Sequence, residues 1–329
     1  MKLIIQIPCF NEENTLPLVL AGVPRSIPGI DEIETLVVDD GSTDRTVQVA
    51  QDLGVDHIVR HVGNKGLAAA FKTGLDAALH RGADIIVNTD GDNQYPQEEI
   101  PRLIQPILDG RAEVVVGDRQ PGKLSHFSRR KKLLLSVGSW IVRVLSGTGV
   151  PDAPSGFRAY SRDAALRLKV HGHYTYTLET LIQAGMQQTA IAYVPISVNE
   201  NIRESRLMSG LWDYVKQSAA TIVRTYAMYR PLKVFAYIGL VVSLIGVAGV
   251  GRFLYYVATG DGSGHIQSLV MSAAFLIVGF QIVLIGLLAD LIAANRRLLE
   301  DVLFRVKSIE IQMAKELQDH NARGKNARS

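Results

Sequence analysis

The sequence predicts an α/β protein: a mainly parallel, doubly wound sheet flanked by helices, followed by interfacial helices and a two-helix transmembrane hairpin. Short apolar runs alternate with helix-patterned segments through the first part of the chain, the mark of repeated β-α units that wind right-handed into a parallel sheet. Polar, glycine-containing clusters follow those runs, at the carboxyl ends of the strands, where such sheets bind ligands. After Pro231 two apolar stretches appear, each long enough to cross the hydrocarbon core of a bilayer.

The first run, Leu3 to Ile7, stops at Pro8 and is followed by Asn11, Glu12 and Glu13, so it reads as a strand rather than a signal peptide. A helix is expected from about Glu13 to Val23, then a strand from Glu34 to Asp39. Next comes a helix capped by Ser42 with Asp44 in its first turn, and a strand from His57 to Arg60. From Lys65 to Arg81, Leu67, Phe71, Leu75 and Ala78 recur on one helical face. The strand opening at Ile85 follows, then a strand from Ala112 to Gly117 and a helix from Tyr176 to Ala184.

Composition narrows the class. The 329 residues exceed one average domain, and the 47% hydrophobic content concentrates between Pro231 and Asn295, which fits a soluble domain joined to a membrane segment. A net charge of +3 with no basic stripe interleaved with aromatics argues against nucleic acid as a partner. The single cysteine, Cys9, allows no internal disulfide and reads as core. The eight histidines are scattered, and His171 and His173 lack companions at a zinc spacing. No Ser-His-Asp or Cys-His order stands out.

The chemistry concentrates at Asp90-Gly91-Asp92-Asn93-Gln94. Alternate side chains of an extended segment share a face, so Asp90 and Asp92 should project together, about 7 Å apart along the chain, where both can reach one divalent ion. Without a cation the two carboxylates would repel and raise their own pKa values. An isolated Asp-x-Asp is more often a solvated turn; here three further clusters share the rim. They are Pro8-Cys9-Phe10-Asn11-Glu12, Asp39-Asp40-Gly41-Ser42-Thr43-Asp44 and Gly63-Asn64-Lys65-Gly66. Glycines and a helix N-terminus let backbone amides approach phosphates, and carboxylates can take ribose hydroxyls, base edges or metal.

Together these motifs, from Lys2 to about Leu207, resemble the family 2 glycosyltransferases with a GT-A fold, and within them the polyprenyl-phosphate sugar transferases. The resemblance implies that Pro8, Asn11 and Glu12 form the first nucleotide-binding loop, with Asp39 or Asp40 on the base or ribose and Lys65 near the same pocket. It implies Asp92 and Gln94 at a Mg²⁺ or Mn²⁺ ion, with Asp90 supporting the nucleotide or the metal's water shell. Asn93 and Tyr95 depart from the leucine and histidine common there. Arg119 matches an arginine near phosphate, Ser155 belongs to a Ser-Gly-Phe-Arg segment on the acceptor side, and Glu179 takes the place of a common acidic residue. Arg203 to Leu207 resembles the family's tail, with Glu200 where an arginine is usual, so that Arg203 or Arg206 would supply a phosphate contact. The implied partners are a UDP- or GDP-linked sugar and an undecaprenyl or dolichyl phosphate. Asp90, Asp92, Arg119 and Arg203 are the expected catalytic set.

The membrane reading supports a lipid acceptor. Arg129, Arg130, Lys131 and Lys132 precede Leu133 to Leu135, Val137, Trp140, Ile141 and Val144, a basic amphipathic helix suited to a bilayer surface, and Arg129 and Arg130 are candidates for the acceptor phosphate. The expected divisions are 1-207 for the catalytic domain, 208-230 for an interfacial helix, 231-258 and 266-294 for the transmembrane helices, and 295-329 for a tail. Arg224, Arg230, Lys233, Arg296 and Arg297 flank the hairpin while Thr259 to His265 lacks Lys and Arg. By the positive-inside rule both termini are cytoplasmic, and the expected location is the prokaryotic cytoplasmic membrane. Arg252 runs mildly against this orientation. In the tail Val302, Val306, Ile309 and Met313 suggest a short coiled-coil seam or an amphipathic membrane face, and the hairpin and tail could carry self-association.

Other readings share parts of the pattern. Another membrane lipid or glycan could be the acceptor; a processive synthase would need a Gln-x-x-Arg-Trp element and more spans; a pyrophosphorylase would not need the hairpin. A catalytically idle scaffold that binds nucleotide sugar is the remaining alternative.

Overall fold

The computed structural model describes residues 1–120, 129–170, 172, 175–199, 211–260 and 265–326. In chain order the catalytic region contains β1 (Lys2–Cys9), α1 (Leu16–Ala21), β2 (Glu32–Asp39), α2 (Thr46–Asp52), β3 (His57–Arg60), α3 (Leu67–His80) and β4 (Ile85–Asn88). A 3-10 turn, Gln97–Glu99, leads into α4 (Ile100–Leu108) and β5 (Val114–Asp118). Then follow α5 (Arg129–Ser146), β6 (Arg158–Ser161), α6 (Arg162–Arg167), α7 (Thr177–Met186) and β7 (Ile191–Pro195). Three helices complete the chain: α8 (Leu211–Tyr229), α9 (Pro231–Ala258) and α10 (Ile266–Asn326).

The seven strands form one sheet in the order β3-β2-β1-β4-β6-β5-β7. Neighbours are parallel except where β6 runs antiparallel between β4 and β5. Alternation sorts the side chains into two cores. Leu3, Ile5 and Ile7 of β1, with Ile85 and Val87 of β4, pack beneath Leu16, Val19 and the apolar face of α4. Ile4, Leu36 and Ile86 face the other way, onto Phe71, Leu75, Ala78 and Leu79 of α3 and Ala164 to Leu166 of α6.

The first helices are shorter than expected. α2 begins at Thr46, and Ser42 does not cap it: Ser42 Oγ instead accepts the Asn11 backbone N–H at 2.9 Å, while Asp44 Oδ1 accepts from the Thr46 backbone N–H at 2.9 Å. Tertiary demand for the serine hydroxyl outcompeted the local cap.

Two compact units divide the chain: Met1–Val223 with Leu303–Ser329, and Arg224–Val302. In the second, α9 and α10 pack through small residues. A Cβ added to Gly239 would lie 2.7 Å from the Gly279 carbonyl oxygen, one on Gly246 2.9 Å from that of Ser272, and one on Gly286 2.7 Å from Phe235 Cβ. Close approach of this kind is how helices associate where lipid is as apolar as their side chains. Both helices have the length and apolarity to cross a membrane.

One helix, α10, runs without a break through both the expected second span and the expected tail to Asn326, since nothing from Ala293 through Met313 is a proline or glycine. Val302, Val306, Ile309 and Met313 are exposed. The opposite residues hold the tail to the catalytic region: Ile311 is buried in the α3 core, Lys307 Nζ lies 2.7 Å from Asp76 Oδ1, and Phe304 sits under the Arg167 guanidinium.

Candidate active site

The carboxyl ends of β1, β2, β3 and β4 form one rim, and the loops that leave them hold one another. Asn11, at φ 57°, turns its Oδ1 toward the Thr43 backbone N–H at 2.8 Å, and the Glu12 N–H donates to Thr46 Oγ1 at 2.8 Å. The loops after β2 and β3 touch through backbone: Gly41 has φ +76°, and a Cβ there would lie 2.6 Å from the Gly63 carbonyl carbon. Pro8 is buried at the end of β1 and carries no donor, so it shapes the backbone of this corner.

Asp39 and Asp40 separate into different jobs. Asp40 is enclosed and fully engaged, taking the Lys65 N–H at 2.9 Å, the Gly66 N–H at 2.8 Å and His61 Nδ1 at 2.7 Å. Its carboxylate therefore fixes the Asn64-Lys65-Gly66 turn, while the Lys65 side chain extends into solvent. Asp39 Oδ1 accepts from the Ser42 N–H at 3.0 Å; Oδ2 has an ion-pair neighbour in Arg60 Nε at 3.2 Å but no aligned hydrogen bond. Of the two, Asp39 has the spare acceptor. His61, whose Nε2 lies 3.0 Å from Thr73 Oγ1 on α3, was not anticipated; its place directly after a strand, beside the loop lysine, was the available signal.

The acidic pair is made by a turn rather than by strand alternation, because β4 ends at Asn88 and residues 91 and 92 already turn. Asp92 Oδ1 accepts the Gln94 N–H at 3.0 Å. Asp90 Oδ1 is buried with no hydrogen-bond partner. Burial first, and then the nearby Asp92 charge, push the Asp90 pKa up to about 7, against partial relief from Arg119.

The floor beneath Asp90 comes from the loop entering β6. A Cβ on Gly156 would sit 2.9 Å from Asp90 Oδ2 and 3.1 Å from the Tyr176 hydroxyl, so only glycine lets the loop lie against the carboxylate. The Gly156 N–H donates to the Tyr95 hydroxyl at 3.1 Å, and the Tyr95 ring stacks on Phe157. Tyr95 thus has a specific task at a position where this chain departs from its resemblance. Asn88 Nδ2 donates to the Gly156 carbonyl at 2.9 Å and the Tyr176 hydroxyl at 2.7 Å, and its Oδ1 accepts from Gln6 Nε2 at 2.8 Å. This buried chain went unrecognised, although a glutamine inside an otherwise apolar strand was a visible anomaly.

Arg119 is bound to Asp152 through two parallel bonds, Nε to Oδ2 at 2.7 Å and Nη2 to Oδ1 at 2.9 Å. Burial works against its charge, but the carboxylate outweighs this and raises its pKa. Arg158, fully buried, donates to the Ser155 and Ala153 carbonyls at 2.8 and 2.7 Å and to Thr180 Oγ1 at 2.8 Å, which holds the floor in shape. Ser155 is completely enclosed, and its Oγ has no hydrogen-bond partner. Glu179 is buried and accepts the Gly172 N–H at 2.9 Å. The loop after β7 clasps the acidic turn, with the Asn199 N–H donating to the Gln94 carbonyl at 2.9 Å and Asn199 Nδ2 to that of Asn93 at 3.0 Å. Arg203 and Arg206 lie outside the described residues, as do the side chains of Arg129 and Arg130.

Among the described residues no group of three His, Cys, Asp or Glu side chains could hold a metal by itself. Asp92 with Gln94, beside the unpartnered Asp90 oxygen, offers an incomplete oxygen shell. That suits Mg²⁺ or Mn²⁺, which keep waters and complete their coordination on substrate phosphates. The donor set fits such an ion.

A mainly parallel sheet carries this rim of polar loops and an acidic turn at its strand ends. Residues 4–168 match the glycosyl transferase family 2 model, and the chain belongs to that family; residues 230–294 match the GtrB C-terminal hairpin. The chain is 29% identical over 220 residues to the polyprenol monophosphomannose synthase of Mycolicibacterium smegmatis, covering 64% of this chain and 82% of the relative. It is also 29% identical over 223 residues to the undecaprenyl-phosphate mannosyltransferase of Micrococcus luteus, covering 64% and 89%. Among solved structures, glucosyl-3-phosphoglycerate synthase from Mycobacterium tuberculosis, in complex with Mn²⁺, UDP-glucose and phosphoglyceric acid, superposes with a TM-score of 0.55 at 25% identity, covering 69% of this chain and 80% of that one.

Proposed function

We propose that this protein is a membrane-bound, inverting glycosyltransferase that moves a hexosyl group from a nucleotide sugar to a polyprenyl phosphate at the cytoplasmic face of a prokaryotic membrane. The observation that carries the reading is that one chain combines the acidic strand-end rim with an apolar helix pair of the GtrB type, and its relatives are named for polyprenyl-phosphate sugar transfer. A tether is needed when the acceptor's tail is dissolved in the bilayer; a soluble acceptor gives no such reason.

In the proposed reaction an acceptor phosphate oxygen forms a bond to the anomeric carbon, and the bond from that carbon to the nucleoside diphosphate breaks with its electron pair on the leaving phosphate. The attacking oxygen is already anionic near neutral pH, so no strong general base is required. Asp39 Oδ2, with its spare acceptor capacity, suits a base or ribose donor, and the Asn64-Lys65-Gly66 turn held by Asp40 presents Lys65 to the diphosphate. Asp92 and Gln94 would hold Mg²⁺ or Mn²⁺, and Asp90 would orient its water shell or the nucleotide. Bound there, the ion supplies charge neutralisation for the departing diphosphate. Arg119 shares that field, tempered by Asp152, and Arg203, Arg206, Arg129 and Arg130 are the cations assigned to the acceptor phosphate.

The purified full chain, incubated with UDP- and GDP-linked sugars, polyprenyl phosphate and Mg²⁺ or Mn²⁺, should give a glycosylated lipid and free nucleoside diphosphate. Chelator or D92A should abolish both. Equal product with chelator present overturns the metal assignment, and transfer to a soluble acceptor with none to the lipid phosphate overturns the acceptor.

A further inference from the structure

An exposed loop of four residues, Val62, Gly63, Asn64 and Lys65, follows β3 and stands on buried polar groups. His61, just before it, is 6% exposed, and Asp40, which faces the His61 ring, is 3% exposed. Enclosing an imidazole and a carboxylate is costly unless both are hydrogen-bonded, and here they bond to each other and to the loop. Asp40 Oδ1 meets both the Lys65 N–H at 2.9 Å and His61 Nδ1 at 2.7 Å, while Oδ2 takes the Gly66 N–H at 2.8 Å.

Two backbone amides already make the Asp40 carboxylate an acceptor, so Nδ1 of His61 carries the hydrogen between them. Those amides belong to an exposed turn; the ring holds the carboxylate from the buried side. The ring is itself fixed at both ends. The His61 backbone N–H donates to the Asp39 carbonyl at 2.9 Å, and Nε2 lies 3.0 Å from Thr73 Oγ1 on α3. Gly66, at φ 90°, turns the chain so that the successive amides of Lys65 and Gly66 converge on one carboxylate, immediately before α3 begins at Leu67. The course of the chain at Lys65 therefore depends on where Asp40 is held.

We propose that His61 is a positioning residue for the nucleoside diphosphate: its Nδ1–H locks Asp40, and through Asp40 the Lys65 turn, in the geometry that receives the phosphates. The inference rests on the proposed nucleotide site at this rim. His61 acts through Asp40 and takes no part in the bond that forms or the bond that breaks. Its loss loosens the grip on the nucleotide equally before and during transfer, so KM for the nucleotide sugar rises while kcat stays.

Two near-isosteric substitutions separate the two ring bonds. Asparagine carries its amide nitrogen where the ring has Nδ1, and glutamine where it has Nε2, so H61N can keep the bond to Asp40 and H61Q only the one to Thr73. The purified full chain is titrated by calorimetry with UDP and with GDP, each with Mn²⁺. H61Q should raise the Kd of whichever nucleotide wild type binds about tenfold, the loss of one charge-assisted hydrogen bond, and H61N should recover most of it. T73V should change that Kd by less than about threefold. In transfer assays H61Q should raise KM for the nucleotide sugar by the same factor as Kd and leave kcat unchanged. H61N as weak as H61Q, H61Q as tight as wild type, a T73V loss equal to that of H61Q, or a loss in kcat alone would each overturn the role of His61 and leave the nucleotide site standing. Wild type that binds neither nucleotide overturns the site itself, and this role with it.

Discussion

Replacing Asp90 with Asn tests the electrostatics at the centre of the site. Burial and the Asp92 charge raise the Asp90 pKa from 3.8 to about 7. In the unfolded chain the group ionises near pH 4, so between pH 4 and pH 7 the folded state holds a proton that the unfolded state has lost. Stability therefore falls as pH rises through that window and levels off above the folded pKa. A shift of about 3 units at 1.36 kcal/mol each sets a ceiling of about 4 kcal/mol; partial access of water to the carboxylate reduces it to about 2 kcal/mol. In chelator, D90N should be about 2 kcal/mol more stable than wild type at pH 8 and close to it at pH 5, measured by denaturant unfolding of the full chain in detergent. Added Mg²⁺ or Mn²⁺, if held as proposed at Asp92 and Gln94, should reduce the wild-type disadvantage at pH 8 by offsetting the charges of Asp90 and Asp92. Equal stability of D90N and wild type at both pH values, or D90N less stable at pH 8, would refute the account of a carboxylate held against its own charge.

Other perturbations read separate parts of the molecule. D152A strands the Arg119 guanidinium, now bonded to it at 2.7 and 2.9 Å, and should cost about 3–5 kcal/mol in unfolding free energy along with turnover. I311A, which empties a site in the α3 core, should lose about 2–4 kcal/mol of tail docking, whereas K307A, at the partly exposed pair with Asp76, should lose under about 1 kcal/mol; hydrogen exchange along residues 303–313 distinguishes them. G279A places a methyl 2.8 Å from the Gly239 carbonyl and against Ser243 Oγ, so it should cost about 1–3 kcal/mol of hairpin stability, seen as a lower thermal midpoint in detergent.

Much of the architecture was legible because its signals are local. The apolar runs at Leu3, Glu34, His57, Ile85 and Ala112 became strands β1 to β5, and the face of Leu67, Phe71, Leu75 and Ala78 packs where its period predicted. β6 and β7 were missed: Arg158–Ser161 is only four residues long and is held in place by its neighbours β4 and β5, and β7 is a half-exposed edge. Side-chain competition was also invisible. Ser42 has the chemistry of a helix cap, and only the folded chain shows that Asn11 claims it.

By itself the sequence determined which loops carry charge and glycine, where the strands end, and which stretches are long and apolar enough to cross a bilayer, because composition and period are properties of neighbours along the chain. Only the tertiary structure decided that Asp40 is consumed by the Lys65 turn while Asp39 keeps an oxygen that takes no aligned hydrogen bond. It alone sealed Ser155 in the floor and set Gly156, Tyr95 and Asn88 under Asp90. The physical reason is the reversal of one strand. Antiparallel β6 carries its entering loop, some sixty residues downstream of Asp90, back to the rim where β1 to β4 end, and hydrogen-bond partners at that separation leave no periodic trace.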